Sequence, residues 1–302
     1  VKLSKTQKVL FISALFLLIV SFFYYTYVAR KFVFKHSYTE GGSAFSCRRF
    51  LSEDFECYEA YYSTLVRERG VADAFADLRA RYNTNTYVKE NCHPITHVIG
   101  RVAIEKYPTL SEAYTYGDSF CWSGYYHGAL EGIIAKMGRA EVPNQLNTIC
   151  ADIPGKERYS FDYFNCIHGL GHGLMAYTNH ELFDALTLCD RLEGIWEKRS
   201  CYGGVFMENL IVDNNNHATT YLDPKDPIYP CNAVPDTYKT DCFLMQTSYM
   251  LKVTGNDYAK VFSLCSTVGD GYRQTCYQSL GRDASGRIQV ILKLQKHDAC
   301  LA

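Results

Sequence analysis

The sequence has no dominant charge: 31 lysines and arginines nearly cancel 32 aspartates and glutamates. No basic stripe stands out locally either, which removes the electrostatic reason to expect a nucleic-acid partner. Strand-like alternation of apolar and polar residues is scarce. No Asn-x-Ser/Thr acceptor occurs, which is compatible with a prokaryotic source without establishing one. Neither a dinucleotide fingerprint nor a P-loop is present, and the glycine-rich run from His168 to Gly173 falls where a helix is expected, so it is not a nucleotide site. Hydrophobic residues, by contrast, make up 47% of the 302. That share excludes a disordered chain and allows one large domain or two small ones.

The N-terminus carries Lys2, Lys5 and Lys8, then an uncharged apolar run from Val9 to Val28, then Arg30, Lys31 and Lys35. A twenty-residue helix rises about 30 Å, the thickness of a bilayer core. A cleaved leader has a shorter apolar region and small residues at its exit, whereas Phe22, Phe23, Tyr24, Tyr25 and Tyr27 crowd this one and suit a membrane interface. Residues 1–35 are therefore expected to form an uncleaved signal anchor, a single transmembrane helix. Residues 36–46 (HSYTEGGSAFS) read as a polar tether, and 47–302 as the domain beyond it. Positive charge on both sides of the span does not orient it. Thirteen cysteines do, since such a number belongs in an oxidising compartment, so the bulk of the chain is expected outside the cytoplasm.

Segments such as 60–80 and 98–107 place apolar residues at helical spacing, and the domain is expected to be all-α. Its cysteines repeat. Cys150 and Cys166, Cys189 and Cys201, Cys231 and Cys242, and Cys265 and Cys276 lie 16, 12, 11 and 11 positions apart, and Cys47 and Cys57 lie 10 apart. The second members, with Cys121, recur every 34 to 45 residues, the period of helix-pair repeats. Each unit then reads as helix A ending at a cysteine, a loop, and helix B opening at its partner. Cys92 and Cys121 are a further candidate pair, and Cys300 is left over. Closing a loop of this size stabilises by roughly 3 kcal/mol, a large fraction of the stability of a domain.

Five of nine histidines fall between positions 92 and 173. His93 with His97, and His168 with His172, are four apart, which puts both rings on one helix face within reach of one ion; His127 and Glu131 share that spacing. The repeat register adds to this. His127 and His172 both lie six residues after a helix-B cysteine, while Gly124 and Gly169 lie three after it. Met207, followed by Glu208, then Ser248 and Arg282 hold the histidine's position in the later units, so a site is expected within 92–209. A histidine cluster beside paired thiols suits Zn²⁺, Cu²⁺ or iron, which would make bound water nucleophilic or support redox chemistry. Glu131 or Glu208 is then the natural carboxylate, as ligand or general base. The alternative is that the imidazoles only bond backbone carbonyls within a packed interior. A nucleophilic cysteine, for instance Cys121 with His127, would need a free thiolate, which the pairing pattern opposes. The remaining histidines, His36, His180, His217 and His297, read as isolated surface or loop residues.

The runs CHPITHVIGR, FCWSGYYHGALEG and CIHGLGHGLM resemble a family of secreted or membrane-anchored prokaryotic proteins with Cys-His-x-x-x-His and Cys-x-x-Gly-x-x-His-Gly motifs. The resemblance covers residues 92–210 and implies kinship without an activity. The stapling is similar to that of cysteine-rich Sel1-like and tetratricopeptide-type repeats, which implies stacked helix pairs in a solenoid or toroid. Two functions follow as expectations. One is a metal-dependent enzyme, hydrolytic or oxidative. The other is a non-catalytic module engaging a peptide, glycan or partner protein through the repeat surface.

Overall fold

The structure is a computed structural model that describes residues 18–21, 24, 47–49, 52–107, 109–138, 140–210 and 219–287. The predicted membrane span lies almost wholly outside the described residues, as do His36, His217, His297 and Cys300. Among the described residues no helix is long and apolar enough to cross a membrane. The chain divides into two compact units, Val1–Phe55 and Glu56–Ala302. In the first, β1 (Arg48–Arg49) pairs antiparallel with β2 (Ser52–Glu53).

The second unit is all-α. Its helices are α1 (Phe55–Arg69), α2 (Val71–Tyr82), α3 (Thr86–Glu90), α4 (Cys92–Lys106), α5 (Leu110–Thr115), α6 (Gly124–Met137), α7 (Val142–Gln145), α8 (Phe161–Tyr177), α9 (Leu182–Cys189), α10 (Ile195–Leu210), α11 (Asp236–Val253), α12 (Tyr258–Thr267) and α13 (Asp270–Arg287). Several starts are fixed by side-chain caps that satisfy otherwise orphaned N–H groups. Asn85 accepts from the Val88 amide, Thr109 from Glu112, Ser160 from Tyr163 and Asp257 from Lys260.

The longer helices pack in chain order: α4 on α6, α6 on α8, α8 on α10, α10 on α11, and α11 on α13. The shorter α5, α9 and α12 lie against α6, α10 and α13. Helices inside such a row are covered on more than one side and need apolar or small residues all round. Accordingly α8 buries a continuous stretch from Asn165 to Met175. Glycines set how closely the helices cross. A Cβ on Gly100 would overlap the Tyr125 carbonyl oxygen, and one on Gly128 that of His97. At the next crossing but one, Gly171 lies against the Cys201 carbonyl and Gly204 against that of His168.

Disulfides join Cys92 with Cys121, Cys150 with Cys166, Cys189 with Cys201, Cys231 with Cys242, and Cys265 with Cys276. Cys47 and Cys57 are disulfide-bonded as well. Their placement departs from the expected helix ends. Cys189 does end α9, and Cys265 lies in the last turn of α12, but Cys150 and Cys231 sit in turns. The partners Cys166, Cys201, Cys242 and Cys276 lie more than one turn inside their helices and are fully buried. Helix-start spacing therefore misjudged the bridges, because the staple falls in the packed middle of each pair, where its sulfurs leave water.

Candidate metal centre

Helices α4, α6, α8 and α10 each send polar side chains into the interior between them. From α4 come His93 and His97, from α6 His127 and Glu131, from α8 His168 and His172, and from α10 Met207 and Glu208. The two register-equivalent rings, His127 and His172, stack with centroids 4.2 Å apart and planes 17° from parallel. His93 and His97 stand edge-on to each other at 4.6 Å, and His127 lies 5.4 Å from the first and 5.5 Å from the second. His168 completes the group at 5.2 Å from both His127 and His172. Glycines of the register make this possible: Gly124 lies against the His93 carbonyl and the His97 ring, and Gly169 against the backbone of His127.

Potential ligand atoms within 4.8 Å of one another form three overlapping sets: His93, His97 and His127; His127, His168 and His172; and His97, Glu131 and Glu208. His127 belongs to two of them. These buried groups could hold a metal ion.

The hydrogen bonds decide where the lone pairs point. His93 Nδ1 lies 2.8 Å from the Cys121 carbonyl oxygen, which can only accept, so Nδ1 carries the proton. That carbonyl is aimed by an unusual turn in which Cys121, Trp122 and Ser123 all have left-handed φ, between 58° and 64°. His97 Nδ1 lies 2.6 Å from Glu131 Oε1, while Arg101 Nη1 donates to Glu131 Oε2 at 2.7 Å. Burial pushes the Glu131 carboxyl up, but the His97 ring and the Arg101 guanidinium outweigh it and hold it well below the usual carboxylate range. Glu131 is thus an acceptor and His97 Nδ1 a donor. The two Nε2 atoms face each other at 3.0 Å. His93, with its proton on Nδ1, presents a lone pair there, and a proton on His97 Nε2 or a cation between the rings satisfies it. Two imidazole nitrogens this close could serve one ion.

His127, 2% exposed, has no hydrogen-bond partner at Nδ1. Such an orphan costs about 1–3 kcal/mol unless something else satisfies it. Burial, then the neighbouring histidines, push the His127 pKa well down; burial and the nearby His97 take His93 down to about 3, and burial takes His168 down to about 4. These rings are neutral, as metal ligation requires. His172 Nδ1 lies 2.6 Å from Glu208 Oε2. Burial and the charge of Glu131 push Glu208 well up, so the two carboxyls are driven apart in acidity.

The sequence-predicted residues therefore meet in one place. Two neighbours that sequence reasoning passed over belong there too. Arg101 lies four residues after His97, the same signal that paired the histidines, and it also reaches Glu59 at 2.9 Å. Met207, read as a lost ligand, has its Sδ 3.4 Å from His168 Nε2. His180, read as a surface or loop residue, does lie in the turn after α8, where it is half-buried and feels the charge of Glu131.

Comparison with protein-family models, curated proteins and solved structures finds no match to this chain.

Proposed function

We propose that the chain is a membrane-anchored, extracytoplasmic metalloenzyme, hydrolytic or oxidative, built on disulfide-stapled helix-pair repeats in solenoid or toroid form. His93, His97, His127, His168 and His172 are its zinc, copper or iron ligands. The single observation that carries this reading is the pair of Nε2 atoms of His93 and His97, 3.0 Å apart, each ring with its Nδ1 already committed as a donor. A ligand histidine with its second nitrogen on a carboxylate or carbonyl is the usual supporting arrangement of a metal site. In this reading Glu131, with both oxygens bonded, orients His97. Glu208, holding a proton beside His172, is the group suited to proton transfer. The ion would supply Lewis-acid or redox chemistry. The disulfides support an oxidising compartment, and the apolar N-terminal run supports the anchor.

Elemental analysis of the full chain, purified without chelators, tests the reading. At least one equivalent of a transition metal per chain is expected in wild type, and a loss of at least tenfold in occupancy in His93→Ala. A wild-type value well below one equivalent would overturn it. The exposed side chains of Tyr159, Phe161 and Ile195 favour a second reading, a non-catalytic module for a protein, peptide or glycan partner. In that case the histidines tolerate glutamine and the chain carries no stoichiometric metal.

A further inference from the structure

We propose that the ion bound by His127, His168 and His172 is cuprous copper, with the thioether of Met207 as its soft fourth ligand. This inference rests on the metal-centre reading above and names the metal for one of its ligand sets, His127, His168 and His172.

What matters is what faces the two edges of the His168 ring. Its Nδ1 edge lies beside Gly203 of α10. Its Nε2 faces Met207 Sδ at 3.4 Å. In a neutral ring that nitrogen is either an N–H donor to the sulfur or a lone pair beside it, and the second form is the one an ion takes. His168 also belongs to the set with His127 and His172 whose ligand atoms lie within 4.8 Å of one another, so the thioether stands against a ring of a three-imidazole set.

Met207 is free to serve. The other methionine nearby, Met245, has its sulfur turned to Arg282, which donates to it from Nη1 at 3.4 Å. The donor set is then three imidazoles and a thioether, and thioether sulfur selects Cu(I) over zinc, manganese or magnesium. The same register position in the two preceding units carries His127 and His172, so Met207 is a softer ligand at an equivalent place rather than a missing one.

The test uses the full chain, titrated anaerobically with Cu(I) against a chromophoric competitor and in parallel with Zn²⁺. Met207→Leu nearly conserves volume and is expected to fold. It should weaken Cu(I) binding at least tenfold and leave Zn²⁺ binding within about twofold. X-ray absorption of the Cu(I)-loaded wild type should show one sulfur neighbour at copper, absent in Met207→Leu. Equal Cu(I) affinity in the two proteins, binding of zinc alone, or a nitrogen-only copper shell in wild type would overturn the copper assignment while leaving the metal centre standing. Failure to bind either ion would overturn the metal reading itself. If Met207→Leu does not fold, the wild-type absorption spectrum decides alone.

Discussion

Two stretches of the helix row share one scaffold and fill it differently. In the stretch α4, α6, α8 and α10, the positions six residues after Cys121, Cys166 and Cys201 hold His127, His172 and Met207. In α11 and α13 it holds Ser248 and Arg282. The later stretch closes on itself. Arg282 donates to Asp283 and to the Leu244 carbonyl, Thr247 and Ser248 donate to Asp283 Oδ2, and Ser279 donates to the Leu244 carbonyl. Every one of those contacts joins a donor to an acceptor. In the earlier stretch ring nitrogens face each other or a thioether, at His93 with His97 and at His168 with Met207, and His127 Nδ1 is buried with no partner. A scaffold that can build a self-satisfied interface at one end and leaves an orphaned imidazole nitrogen at the other departs from the rule that buried polar groups are paired, as a place kept for an ion would.

The largest effect expected to sharpen this contrast comes from the staples. Cys150→Ser with Cys166→Ser, and Cys265→Ser with Cys276→Ser, open loops of similar size and should each cost about 3 kcal/mol in urea unfolding. Only the first pair touches α8, which carries His168 and His172, so only that variant should also lose metal. Equal metal loss from both would break the comparison. Next in size is Arg282→Met, which leaves Asp283 without its nearest cation and the Leu244 carbonyl with one donor fewer. It should destabilise by about 2 kcal/mol while metal content, read by elemental analysis, stays at the wild-type level.

Much of this was legible in the residues because it depends on spacing along a helix. Apolar periodicity gave the all-α domain, and the intervals between cysteines gave the later pairs that form, while Cys92 with Cys121, 29 apart, forms outside that interval. The shared six-residue offset of His127 and His172 became a stack of two rings. What could not be read depends on how helices cross. The Cys121 carbonyl reaches His93 only through three consecutive left-handed residues, which Cys-Trp-Ser does not announce. Met207 counts as a ligand candidate only once its sulfur is seen against His168. His180 lies in a turn whose direction sequence does not fix, and so its half-burial carried no signal.

The last effect expected is the most local, since the described histidines all precede α9. In the metal-free chain the pKa of His93 is pushed down to about 3 and that of His168 to about 4, against an ordinary value near 6.5. Between those limits the unfolded chain holds protons that the folded chain refuses. Their stabilising contribution is therefore complete above pH 6.5 and falls as pH drops through the window, by up to about 1.4 kcal/mol per pH unit for each ring. Glu208 acts with the opposite sign. Its raised pKa adds stability that is present at low pH and lost as pH rises, so it offsets part of the histidine slope. Hydrogen exchange on the apo chain should show amide protection in α4, α6 and α8 falling between pH 7 and pH 5, while α11 and α13 change little. A His93→Gln, His168→Gln variant should flatten that fall. A uniform loss along the whole row would mean that the two stretches unfold as one unit, and the buried rings would then set the acid stability of the self-satisfied end as well as their own.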